Sequence, residues 1–195
     1  MEENKYLIQR RNRKKQWLRL RLGVLQLINK PVLNILWVVI GISIVLIIIG
    51  KEKLVRYLDV PQILIPVFNL TMNIVIVLIP IILILFMIES IGELSARKDE
   101  ADLQEAFGKK ALRNGCPILM NKKRDKNTNV IMREFYSSIP YNTWIENMDA
   151  IADSMNVHFV EKIQYGGRAD GKRIVIYTAT GRKPIERDEL YDEEF

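Results

Sequence analysis

Apolar residues in this chain are concentrated in two uninterrupted runs. Residues 31–50, PVLNILWVVIGISIVLIIIG, and 62–88, QILIPVFNLTMNIVIVLIPIILILFMI, contain no ionisable side chain. A helix needs about 20 apolar residues to cross a hydrocarbon core of about 30 Å. The β-branched richness of the first run would favour a strand in water. In lipid, unpaired amides find no solvent, so a helix that bonds all of them internally is favoured. The pattern predicts transmembrane helices at 31–50 and 62–88 with a short extracytoplasmic loop at 51–61. Pro80 predicts a kink in the second helix. Asn34, Asn69, Thr71 and Asn73 read as headgroup-level or helix-pair hydrogen bonders. Neither run carries the ionisable residue that usually marks an ion path.

After residue 88 the periodicity changes. Residues 89–114 predict a connecting helix, with Leu94, Leu103, Ala106, Phe107 and Leu112 on one face. Arg97, Lys98, Asp99, Glu100, Asp102 and Glu105 lie on a solvated face, and Asn114-Gly115 is a stop. Two short apolar runs, 117–120 and 130–136, flank the polar stretch NKKRDKNTN and predict a β-hairpin. Its cations Lys122, Lys123, Arg124 and Lys126, with Arg133 on the strand, read first as a solvated turn and second as a phosphate contact. Pro140 opens a helix whose stripe is Trp144, Ile145, Met148, Ile151, Ala152 and Met155, and Asn156 ends it. Strands follow at 157–165 and 172–180. The predicted fold class is a membrane protein: two transmembrane helices followed by a small α+β cytoplasmic domain at 115–181. That domain reads ββαββ, a four-stranded antiparallel sheet backed by a helix, with Phe135, Trp144 and Ile151 in its core. Residues 182–195 read as an acidic, disordered tail.

Composition narrows the function classes. The 195 residues include one cysteine and one histidine, which excludes a disulfide framework and leaves too few ligands for an ordinary zinc site. The net charge of +6 is uneven. Residues 1–32 hold nine Lys and Arg against two acids, whereas residues 90–195 hold 17 against 18. The loop carries three cations, so the positive-inside rule puts the N-terminus in the cytoplasm, and two spans return the C-terminus there. A multi-pass protein of the plasma membrane is expected. The basic and apolar regions are too long for a cleaved signal peptide, and no A-x-A-like site follows.

Residues 1–30 form a basic amphipathic arm. Arg10, Arg11, Arg13, Lys14, Lys15, Arg19 and Arg21 are interleaved with Trp17 and leucines. This fits an interfacial helix on anionic lipid with Trp17 at the headgroups. A topology signal and a phosphate contact to nucleic acid also fit, although no base-reading motif accompanies the charge, so direct nucleic-acid binding stays open. The segment GGRADGKR at 166–173 nearly spells a phosphate-binding loop. However, Arg173 replaces the magnesium-holding hydroxyl, and a strand-like IVIY follows where a helix is required. No nucleophile, acid–base or metal motif is present, so no enzyme activity and no cofactor are expected.

One constellation is familiar. It comprises Cys116-Pro117-Ile118-Leu119, Phe135-Tyr136-Ser137, and Ile139-Pro140 with Trp144 four residues on. Met155-Asn156 then closes the helix before Val157-His158-Phe159-Val160. It resembles the membrane-anchor and adaptor region that precedes the motor in FtsK/SpoIIIE-type DNA translocases, including coupling proteins of conjugative elements. The resemblance spans roughly 115–180 together with the two-span layout. It implies a membrane-anchored part of a DNA translocation or conjugation system. The 195 residues contain no Walker A or Walker B segment, so the implied role is the anchor and adaptor without the motor. That could be a truncated translocase or a stand-alone accessory. Implied partners are the lipid bilayer, a P-loop DNA-translocating ATPase and further copies of the chain. The alternative is a two-span protein with a cytoplasmic protein-interaction domain unrelated to DNA transfer. A small lesion-forming oligomer is a third reading.

Overall fold

The computed structural model describes residues 2–57, 61, 63–112, 115–168 and 170–181. The acidic tail expected at 182–195, and part of the loop expected at 51–61, lie outside these residues. The chain divides into two compact units, Met1–Arg97 and Lys98–Phe195.

The first unit is helical. Helix α1 (Glu2–Asn29) carries the basic arm, and a 3-10 turn at Pro31–Asn34 leads into α2 (Ile35–Tyr57). Residues 51–57, expected as loop, continue that helix. Helix α3 (Ile65–Ala111) is broken at Gly108, whose backbone is non-helical. The stretches Pro31–Gly50 and Ile65–Lys109 are both long and apolar enough to cross a membrane. Their apolar parts are almost wholly exposed, with Val38, Ile42, Leu46, Leu70, Ile74 and Val77 all open. Ser43 donates its hydroxyl to the Val39 carbonyl at 2.9 Å, and Thr71 donates to the Val67 carbonyl at 2.9 Å. These two hydroxyls are therefore satisfied within their own helices.

The second unit begins with residues 98–111 of α3. Strands β1 (Ile118–Arg124) and β2 (Ile131–Tyr136) form the expected hairpin. Helices α4 (Tyr141–Glu146) and α5 (Met148–Met155) follow, then β3 (Val157–Phe159), β4 (Gln164–Gly166) and β5 (Asp170–Thr180). All pairings are antiparallel. The sheet has five strands in the order β1-β2-β5-β3, with β4 also on β5, rather than the four expected. β2 pairs with residues 173–178 of β5, so β3 and β4 share the other edge of β5, end to end.

The extra break is imposed from outside the strand. Ile163 turns into the core at 1% exposure, and the Tyr141 hydroxyl donates to its carbonyl at 2.6 Å. A buried carbonyl satisfied by a side chain no longer needs a ladder partner. The split between α4 and α5 is similar. Asn147 donates its side-chain amide to the Thr143 carbonyl at 2.7 Å, competing with the backbone ladder. Asn156 adopts the left-handed conformation, φ 51° and ψ 54°, and its N–H closes onto the last turn of α5.

Alternation sets the core. Arg133 and Phe135 on β2, and Ile174, Ile176 and Thr178 on β5, are buried at alternate positions. Leu103 and Phe107 of α3, Trp144 of α4, and Ile151 and Met155 of α5 are buried with them. Phe135, Trp144 and Ile151 are each 0% exposed. Trp144 meets the Phe107 ring edge-on at 4.8 Å and the Phe135 ring at 5.7 Å. Its indole N–H donates to Ser137 Oγ at 3.2 Å, and that oxygen also accepts from the Ile139 amide at 3.0 Å. The polar edge of the largest core side chain is thereby satisfied. Leu94, expected on the apolar stripe, is 72% exposed.

Candidate functional site

Two arrangements stand out, one in each unit. In the first unit, Leu18, Arg19, Leu22, Gly23, Gln26 and Leu27 form the buried stripe of α1, at the three- and four-residue spacing of a helix face. A Cβ built on Gly23 would collide with the Ile88 backbone carbonyl, and one on Gly92 with the Arg19 carbonyl. The pairing of 23 with 88 and of 19 with 92 makes the helices antiparallel. Each places a glycine where the other's backbone passes, the close approach that small residues permit. Glu93 follows directly, and Arg19 Nε donates to its carboxylate at 2.6 Å.

Arg19 therefore departs from the outward-facing set expected from sequence. Its side chain is 2% exposed against 48% for Glu93, so a half-open carboxylate is the counter-charge of a buried guanidinium. Arg10, Arg13, Lys14 and Arg21 are exposed, Arg11 and Lys15 are partly covered, and Trp17 is 62% exposed. The arm does not lie alone on a surface: its last turns pack along α3. Gly23 in the arm, and Gly92 and Ala96 beyond the second apolar run, were the available sequence signals.

In the second unit, a buried polar joint ties α3 to the sheet. Asp99, expected on a solvated face, is 3% exposed. It accepts from Lys122 Nζ at 2.7 Å and from Arg133 Nε at 3.2 Å. Arg133 also donates to the Thr178 hydroxyl. One carboxylate thus links the helix to β1 and β2, and Arg133 carries the link to β5. Glu100 reinforces it, its carboxylate accepting the Leu119 amide at 2.8 Å and its carbonyl facing the Cys116 thiol at 3.4 Å. Sequence reading missed this joint because burial of a charge is decided by partners 23 and 34 residues away.

The hairpin tip is built from local bonds. Asp125 accepts from the Asn127 amide at 3.1 Å and the Thr128 hydroxyl at 2.8 Å. These bonds, the amide first, hold its carboxyl below the ordinary range. Arg124 donates to Asn129 Oδ1 at 3.0 Å. Lys123, Arg124 and Lys126 are exposed.

The segment resembling a phosphate loop is the turn between β4 and β5. Gly167 has φ 63°, and the space a Cβ would take there is filled by the Arg173 guanidinium. Arg173 also pairs with Glu134 at 3.3 Å. The turn is thus closed by its own arginine. Among the described residues, no group of three His, Cys, Asp or Glu side chains converges on a point where a metal could sit. The charged side chains Asp99, Lys122, Arg133, Glu134 and Arg173 are engaged with one another, joining elements of the second unit.

No family model matches the chain, and no curated protein matches it. Among solved structures it is similar to the pCW3 conjugation coupling protein TcpA, in a monomer form with ATPgS. The identity is 27%, covering 50% of this chain and 29% of that one, with a TM-score of 0.38. The chain thus spans under a third of that protein's length.

Proposed function

We propose that this chain is a membrane-anchored, non-catalytic adaptor of a DNA-translocation or conjugative-transfer system. Residues 31–50 and 62–88 cross the plasma membrane, and both ends of the chain face the cytoplasm. The chain works by binding, and its main partner is a P-loop ATPase of the FtsK/SpoIIIE type.

The observation that carries this reading is the behaviour of the segments bearing the resemblance. Ile118-Leu119, Phe135 with Ser137, Ile139, Trp144, Met155 and Val157 are scattered over 40 positions, and all are buried within one packed unit. They behave as one structural module rather than as coincidental short matches. The membrane part is supported by the exposed apolar helices, since a soluble protein rarely leaves so large a contiguous apolar surface uncovered. The excess of Lys and Arg in α1 supports the orientation.

The test is crosslinking in intact membranes, followed by capture of the full-length chain. Recovery of an ATPase of this type is the expected result. Recovery of monomer alone, with no such ATPase, would overturn the assignment. A two-span protein with an unrelated interaction domain would then be left.

A further inference from the structure

We infer that the junction of α1, α2 and α3 holds one anionic phospholipid, with an acyl chain in an apolar groove and its phosphate on Arg21. The inference rests on the membrane reading above and specifies what the anchor recognises in the bilayer. The groove has a volume of about 330 Å³ and is lined by Val24, Leu27, Ile28, Trp37 and Ile88. All three helices contribute, so it is shaped by the fold rather than by one side chain. No lining residue is polar apart from the Trp37 indole.

Its position points to lipid. Trp37 belongs to the first apolar run and Ile88 ends the second, so the groove opens where both charge-free segments meet the basic arm. Val24 and Ile28 are 44% and 72% exposed on the face of α1 turned away from its buried stripe. Arg21 lies three and seven residues before them, hence on the same face, and is exposed. At 1.5 Å per residue it stands about 10 Å along the axis from Ile28. The headgroup layer of one leaflet is roughly 5–8 Å deep, and a long cationic side chain adjusts its height along its own stem. Trp17 is one further turn out on this face. A second copy docking symmetrically would bring its own Arg21 against this one. An anionic headgroup neutralises it.

The experiment uses the full chain with Trp17→Phe, reconstituted in vesicles of phosphatidylcholine and phosphatidylglycerol. Bromine is placed on the acyl chains of one lipid or the other. Trp37 reports the groove, and Trp144, fully buried in the other unit, gives the unquenched baseline. At equal mole fraction, brominated phosphatidylglycerol is expected to bind beside Trp37 with about fivefold preference, the factor one surface cation supplies. Arg21→Gln removes that preference while quenching by brominated phosphatidylcholine remains. Equal quenching by the two lipids, or a preference that survives Arg21→Gln, overturns the site and leaves the membrane reading standing. So does loss of the preference on adding inorganic phosphate, which would mark a headgroup contact without the acyl groove. Absence of quenching by either lipid overturns the membrane reading itself.

Discussion

Removing the Asp99 carboxylate tests whether the buried joint holds the second unit together. The side chains of Asp99 and Arg133 are 4% and 6% exposed, and Lys122 is 27% exposed. Asp99→Ala leaves Arg133 buried with the Thr178 hydroxyl as its hydrogen-bond partner and the Asp102 carboxylate as a more distant counter-charge. Lys122, at the margin, can swing to water at little cost. Breaking a buried pair from one side typically costs 3–5 kcal/mol, because the surviving charge is stranded in low dielectric. The same change made from both sides, Asp99→Leu with Arg133→Met, removes the desolvation penalty together with the attraction and should be close to neutral. In a unit of this size about 1 kcal/mol moves Tm by roughly 4–8 °C, so the single variant should lose at least about 12 °C. The assay is thermal unfolding of the full chain in detergent, followed through Trp144 in a background with Trp17→Phe and Trp37→Phe. A single variant that melts within about 4 °C of the parent would refute the reasoning, as would a double variant that melts as low as the single.

Three further outcomes follow from the contacts described. Gly92→Leu drives a side chain into the Arg19 carbonyl and should separate α1 from α3; trypsin cleavage after Arg19 and Arg21 then accelerates in the full chain, and an unchanged rate would count against the close crossing. Trp144→Ala empties the space between Phe107 and Phe135 and removes one of the two donors to Ser137 Oγ, at a cost of about 3–5 kcal/mol in thermal unfolding. The depressed pKa of Asp125 means that the tip order is fully present above the unfolded carboxyl value of about 3.9 and is lost as pH falls through the lower folded value. Amide exchange at Asn127 should therefore be insensitive to this carboxyl near neutral pH and deprotected only in strong acid, and Asp125→Ala should remove that dependence.

The local features of this fold were readable because each is written within a few residues. The charge-free runs, the hairpin around NKKRDKNTN, the buried Trp144, Ile151 and Met155 of the expected stripe and the stop at Asn156 all depend on spacing or on one residue's own preference, whereas Ile145, expected on that stripe, is 42% exposed. What sequence reading missed depends on partners brought in from elsewhere. Asp99 looks solvated until Lys122 and Arg133 are placed against it, and Arg19 looks like one more surface cation until α3 passes beside it. The strand expected at 157–165 breaks because Tyr141, 22 positions before Ile163, takes the Ile163 carbonyl. Of the candidate surface residues, Arg10, Arg13, Lys14, Trp17 and Arg21 face outward. The glycines that allow the helix crossing were visible only as small residues without a stated use.

The sheet also has a consequence for the order of events during synthesis. β5 is the strand on which β2, β3 and β4 all pair, and it is the last of the five along the chain. Until residues 170–180 have left the ribosome, the β1–β2 hairpin has no neighbour, and β3 and β4 have nothing to bind. A ribosome adds about 5–20 residues per second, so both apolar segments have emerged several seconds before the sheet can close. If the two apolar segments enter a bilayer as proposed, they do so while the second unit is still an open chain, and that unit then folds on a chain already held at its N-terminal side.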